Sequence, residues 1–337
     1  MTKPLNQNKM KKLTKEISSH FPLIINLSHQ KGGVGKSTLA YNLADSFRIL
    51  GYKVKLLDID IQNSCIGLNS LREIPFVNIK KVLNRKELVD IINNSYSDNS
   101  EILIIDTDGF DLTLSKLAII GSDISLAPLS DRVTEILGLV QKYNQTLKEI
   151  EPYNQIDISN YILLNKIHPF AKDFKHIEEI ISQYPQIDIF KSIIVRDRAI
   201  YDKSFIDGRT VFEASELKGH KEAMDEILSI CYKLMEIEID KGVNMAVKRK
   251  RLTLDVVKSI TDNQKQKDNM DNDKIIEKKT NRVKLKDLEK FSKSVRFPLV
   301  WKEEIEKKID YPTDLSSFIV EAIKEKMERE EMNIFIG

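Results

Sequence analysis

Cysteine is almost absent: Cys65 and Cys231 are the two in 337 residues, and neither belongs to a C-x-x-C pair. A disulfide framework, a zinc site and a cysteine-ligated cluster are therefore without support. No run of 18 apolar residues occurs, and the opening "MTKPLNQNKMKKLTKEISSH" has no apolar core of signal-peptide length. The expectation is a cytoplasmic protein. Net charge is also low, at +2, but it is unevenly spread. Residues 241–300 carry 17 Lys/Arg against 8 Asp/Glu, and residues 301–337 carry 6 against 10. A basic segment in a near-neutral chain fits either a polyanionic partner or a solvated linker. Residues 241–290 lack any aromatic residue or proline and are dense in Lys, Asp and Asn. They read as a tether, with a short helix around "LDVVKSI".

What is present, from about residue 21 to 235, is an alternation of short apolar runs with amphipathic stretches. The runs "PLIINLS", "KVKLLDID", "EILIIDTD", "ISLAPL", "YILLNKI" and "DIFKSIIV" are strand candidates. Several are apolar almost throughout, as strands buried on both faces are. Between the first two, Leu39, Leu43, Phe47 and Leu50 share one helical face that ends at Gly51. Strand–helix alternation predicts an α/β fold with a doubly wound, mostly parallel sheet, whose ligands bind at the carboxyl ends of strands.

At the end of the first run stands "HQKGGVGKST". Glycine-rich turns that open onto a helix offer backbone N–H groups to phosphate oxygens. Gly32, Gly33, Val34 and Gly35 supply that cradle, Lys36 a charge for the β/γ-phosphates, Ser37 a hydroxyl for Mg²⁺, and Thr38 follows it. Gln30 stands where the common P-loop has its first glycine, so the pattern is the variant K-G-G-x-G-K-[ST], with a second lysine at Lys31.

"NLSHQKGGVGKSTLAYNLA" resembles the deviant Walker A motif of the ParA/MinD family of P-loop ATPases. The resemblance implies ATP and Mg²⁺ as ligands and slow ATP hydrolysis. It also implies a nucleotide-sandwich homodimer in which Lys31 reaches the phosphates held by the other subunit; the alternative for Lys31 is a solvated loop cation. "LLDIDIQNS" is similar to the family's D-x-D-P-Q element, with Ile61 at the proline position. By that likeness Asp60 positions the attacking water and the Mg²⁺ shell, and Gln62 belongs to the first switch. "EILIIDTDG" resembles the Walker B strand, with Asp106 directed at Mg²⁺ and with Asp108 an extra acid of no assigned role. Asp60 and Asp106 are favoured over Asp58 and Asp108. "LLNKIHP" places Asn165 and Lys166 after a strand, where relatives contact adenine; an ordinary loop pair is the alternative. The likeness runs on through "SIIVRDRAIYDKSFIDGRTVFEASE", an Arg-rich loop followed by G-x-x-V-F-E, and is nearest the short plasmid-partition type called ParF.

After the tether, "KSVRFP" alternates like a half-buried strand, and two helical stretches follow, "LVWKEEIEKKI" and "DLSSFIVEAIKEKMERE". One strand and two helices in about 40 residues cannot close a core alone. Their order resembles the ribbon-helix-helix fold, in which two chains pair strands into a ribbon that reads the major groove. That likeness turns Ser294 and Arg296 toward DNA, with Lys293 or Ser292 at the entry; a helical hairpin serving only to dimerise is the alternative. ParF-type ATPases work with a separate ribbon-helix-helix protein, ParG, whose tail supplies an arginine; here Arg249, Arg251 or Arg282 stands in the matching stretch.

The expected organisation is an extension (1–20), the ATPase domain (21–240), a basic linker (241–290), the ribbon-helix-helix domain (291–332) and a tail (333–337). The expected function is DNA segregation, by an ATPase that associates with nucleoid or plasmid DNA, site-specifically and non-specifically. It would act as a homodimer or a higher-order assembly on DNA, with a separate adaptor protein as a further partner. An ATP-responsive repressor and a conjugation accessory ATPase are the alternatives. MinD-like relatives end in a basic amphipathic membrane helix, whereas this chain ends "IKEKMEREEMNIFIG", so no membrane partner is expected.

Overall fold

The computed structural model describes residues 23–29, 32–60, 62–82, 84–95, 101–107, 112–153, 158–244, 252–253, 256–260 and 262. The chain divides into two units, residues 1–264 and 265–337, and every described residue lies in the first. Lys31, Asp108, Arg249, Arg251, Arg282, Lys293, Ser294 and Arg296 fall outside the described residues, as does the whole of the expected ribbon-helix-helix region.

Seven strands form one sheet in the order β3-β2-β4-β1-β5-β6-β7, and every pairing is parallel. They are β1 (Leu23–Leu27), β2 (Lys53–Asp58), β3 (Asn78–Lys81), β4 (Glu101–Asp106), β5 (Ile124–Leu129), β6 (Ser159–Ile167) and β7 (Asp188–Arg196). Six of these are the apolar runs of the sequence. The seventh, β3, reads "NIKK" and lies on the sheet edge, where its lysines meet solvent and no apolar pattern is required. β1 is central, and its neighbours β4 and β5 follow it in sequence on opposite sides. The winding of the sheet switches sides there, so the end of β1 opens into the crevice where such sheets bind ligands.

Helices cover both faces. On one lie α1 (Lys36–Ile49) and the long α8 (His220–Asn244), packed with Leu23, Ile25 and Leu27 of β1. On the other, around Ile24, lie α3 (Arg85–Ser95), α4 (Leu112–Ile120), α5 (Val133–Ile150) and α6 (Lys175–Ile181). Two further short helices are α2 (Ser64–Ser70) and α7 (Ala199–Ser204).

The first helix shows how the sequence sets its own limits. Leu39, Leu43 and Phe47 are fully buried, which stabilises the fold by about 1.5–3 kcal/mol per side chain. Its end is fixed by Gly51 at φ 90, where Gly51 N donates to the Arg48 carbonyl and Tyr52 N to that of Phe47. These two bonds form a Schellman cap, and the Phe47 and Tyr52 rings pack edge to face across it at 6.1 Å.

The stretch read as a tether contributes to the core. Leu252, Val256 and Ile260 pack with α3 and α4, on the face opposite α8, and residues 256–260 are helical. The Asn93 side chain pairs with the backbone of Leu252 at both ends, donating to its carbonyl at 3.0 Å and accepting its N–H at 2.9 Å. Gly121 lies beneath; a Cβ there would come within 2.8 Å of Ile92 and 3.0 Å of Leu252. Among the described residues no helix is long and apolar enough to cross a membrane.

Candidate phosphate and cation site

The glycine loop joins β1 to α1. Gly33 and Gly35 have φ of 78 and 93, a left-handed backbone that other residues rarely adopt. Gly35 caps α1, and among the described residues no amide of Gly32, Gly33, Val34 or Gly35 donates a backbone hydrogen bond. The loop's carbonyls are held instead from β6. Asn165 donates its side-chain amide to Val34 O at 2.7 Å, and Lys166 Nζ donates to Gly33 O at 2.8 Å. A Cβ on Gly35 would lie 2.5 Å from Asn165 Nδ2, so glycine is required there for space as well as for φ. Asn165 and Lys166 were expected beyond the strand. They are instead in its last three residues, and Lys166 turns the backbone at φ 56.

The structure brings Ser37 and Asp106 together: the Ser37 hydroxyl hydrogen-bonds the Asp106 carboxylate. Asp106 ends β4 and is fully buried, with Lys36, also buried, near enough to act on its charge. Burial pushes its carboxyl up to about 7, with the charge of Asp58 adding to the rise and the Ser37, Cys65 and Lys36 contacts opposing it. One oxygen, Oδ2, accepts from the Cys65 thiol at 3.3 Å. The other, Oδ1, is buried without a hydrogen-bond partner. A buried carboxylate oxygen left unpaired is costly unless something else meets it. Beside a serine hydroxyl and a lysine, the fit is a hard divalent cation, which takes oxygen ligands.

Asp58, ranked below Asp60 in the sequence reading, has a clear task. It is fully buried at the end of β2, and three backbone amides converge on it: Asp60 N at 3.2 Å, Cys65 N at 3.0 Å and Ile66 N at 3.2 Å. It thereby caps α2 from the preceding strand and fixes the connecting loop. Desolvation raises its carboxyl, and those amides work against the rise. Asp60 sits on that loop and accepts from Gln62 N at 2.8 Å. Cys65, read only as an unpaired cysteine, went unnoticed because its contacts come from β4 and α1, distant in sequence.

The "GRTVFE" segment braces α1 and α2 behind the site. Arg72 forks onto Glu213 at 2.6 and 2.5 Å and reaches Gly208 O at 3.1 Å. Tyr41 also donates to Gly208 O, Val211 N to Asn42 Oδ1, and the Thr210 hydroxyl to the buried Asp45. At the other end of the site, Arg196 donates to the carbonyls of His168 and Ala171, which shapes the turn after β6.

Residues 23–159 match a family model described as an AAA domain. No curated protein matches the chain. Among solved structures, the septum site-determining protein MinD of Pyrococcus horikoshii, complexed with Mg-ADP, is 14% identical, covering 64% of this chain and 98% of that one, with a TM-score of 0.47. The cell division ATPase MinD of Pyrococcus furiosus is 17% identical, covering 64% and 100%, with a TM-score of 0.47. A putative plasmid partition protein of Borrelia burgdorferi B31, bound to AMPPNP, is 18% identical, covering 63% and 99%, with a TM-score of 0.45. Identities and scores this low leave the functional assignment to the site itself. The matched AAA region runs from β1 to the first residue of β6 and so takes in the glycine loop, the loop after β2 and Asp106.

Proposed function

We propose that this chain is a Mg²⁺-dependent ATPase of the partition or positioning kind, with ATP bound at the loop between β1 and α1. The observation that carries the reading is the pairing of an open glycine loop with the buried, unpartnered oxygen of Asp106 beside Ser37. The AAA match over the same elements supports it.

In this reading the amides of Gly32–Gly35 and the α1 N-terminus bind phosphate oxygens, and Lys36 neutralises them. Ser37 and Asp106 hold Mg²⁺, which when bound neutralises charge on the transferring phosphoryl group. Asp60, on the loop that Asp58 fixes, orients the attacking water. Catalysis of this type is largely positioning and charge stabilisation, so these groups suffice. Asn165 belongs to the nucleotide site through its grip on the glycine loop.

DNA is the proposed partner, bound through the basic stretch and the C-terminal ribbon-helix-helix segment, with the active form a dimer in which Lys31 serves the partner's phosphates. DNA segregation follows as the role. Phosphate release that needs Mg²⁺ and is abolished by Lys36→Ala tests the enzyme; release without the cation, or a fully active variant, refutes it. DNA affinity falling by about 0.9 log units per log unit of salt for each neutralised phosphate tests the partner.

A further inference from the structure

We infer that Cys65 is a positioning residue for the cation site, acting through Asp106; the inference rests on the ATPase reading above. The thiol is fully buried at the second position of α2. It meets three elements at once. Its own amide is held by Asp58 of β2, its Sγ lies 3.3 Å from Asp106 Oδ2 of β4, and 3.6 Å from the Ser37 carbonyl of α1. A thiol is a weak donor, and both of its neighbours, a carboxylate oxygen and a backbone carbonyl, are acceptors.

A carboxylate at the end of a strand can rotate about its last torsion, and a cation needs one oxygen held in place. The S–H bond and the Ser37 hydroxyl hold the Asp106 carboxylate from one side. Oδ1 is left buried and without a partner, as a ligand position requires. Partners of this kind orient ligands and strengthen metal binding. The placement has a second effect. Because Asp58 pins both Cys65 N and Asp60 N, the loop carrying Asp60 and the carboxylate facing the cation are joined through two side chains, Asp58 and Cys65. A shift of the water-positioning loop is thereby felt at the cation, and loading the cation stiffens that loop.

The test is binding, without turnover, in the full-length protein: Mn²⁺ titrated by electron paramagnetic resonance in the presence of a non-hydrolysable ATP analogue, and the analogue titrated without metal. Cys65→Ala is expected to weaken Mn²⁺ about tenfold, the low end for such partners because a thiol is a weak donor. Metal-free analogue binding is expected to stay unchanged. Cys65→Val, which fills the space but has no donor, is expected to match the alanine variant, and Cys65→Ser to recover most of the loss. Wild-type binding that ignores Mn²⁺ overturns the ATPase reading and this role with it. A wild type that responds, alongside a Cys65→Ala or Cys65→Val variant of equal Mn²⁺ affinity, overturns the role of Cys65 alone. Equal losses in the alanine and serine variants also overturn it, since a donor would then not be what matters.

Discussion

Asn165 and Val34, 131 positions apart, are joined by a 2.7 Å hydrogen bond that ties the end of β6 to the glycine loop. With Lys166 holding the adjacent carbonyl, β6 grips the loop at two successive residues. Asn165→Ala is expected to destabilise the protein by about 1–3 kcal/mol, because Val34 O is left unpaired. Analogue affinity should fall with it. Urea unfolding and a fluorescent ATP analogue measure the two effects, and unchanged affinity would show that the loop keeps its shape unaided.

The same contact bears on Gly35. An alanine there takes on both the left-handed backbone, about 1–3 kcal/mol, and the collision with Asn165 Nδ2. Because Asn165→Ala opens the space, the double variant is expected to lose less stability than the two single losses added together. Strictly additive losses would leave the collision without weight.

Asp106 gives the metal-free protein a pH signature. Its folded carboxyl is raised from 3.8 to about 7, so between these values the native state holds a proton that the unfolded state has lost. Stability is then expected to decline as pH rises from about 4 to about 7, by at most roughly 4 kcal/mol, and to level off above. Asp106→Asn should remove that slope and raise the melting temperature at pH 8. Thermal unfolding in a chelator across pH 5–8 reads both. Parallel curves for variant and wild type would refute the assignment.

Arg72 and Glu213 form a two-point pair between α2 and the loop that braces α1. Burial alone would raise the Glu213 carboxyl, and the Arg72 guanidinium holds it below its ordinary value instead. A double-mutant cycle to alanine is expected to return a coupling of about 1–3 kcal/mol, since both side chains are mostly shielded from water. A coupling near zero would place the pair with solvated surface ion pairs.

The docking of residues 252–262 can be tested by length. Chains ending at 250 and at 262 should differ in stability by several kcal/mol, because Leu252, Val256 and Ile260 leave the core in the shorter one. Leu252→Ala in the full chain should cost about 2–5 kcal/mol. Equal melting temperatures for the two lengths would show that the contact contributes nothing.

The strands were legible where the chemistry is uniform. A run such as "EILIID", buried at every position, has no other soluble use at that length. β3 was hidden because an edge strand of four residues with two lysines carries no pattern. The glycine loop and Asp106 stand out in the sequence because the K-G-G-x-G-K-[ST] pattern and a carboxylate ending an apolar run fix residue type and spacing together. Asp58, Asn165 and Cys65 were harder, since each acts through a contact that exists only once the sheet has formed. Leu252, Val256 and Ile260 were lost in a polar surrounding, where three spaced apolar residues look like linker composition.

The seating of Leu252, Val256 and Ile260 also has a mechanical meaning. α8 lies on one side of the sheet, and Leu252, Val256 and Ile260 lie on the other. Tension applied to anything attached beyond residue 262 would be borne first by the paired hydrogen bonds of Asn93 and by three apolar side chains, and only afterwards by α8. If a cargo hangs from that end, the Asn93–Leu252 clasp is its point of suspension, and it is seated on α3 and α4, the latter the first helix after Asp106.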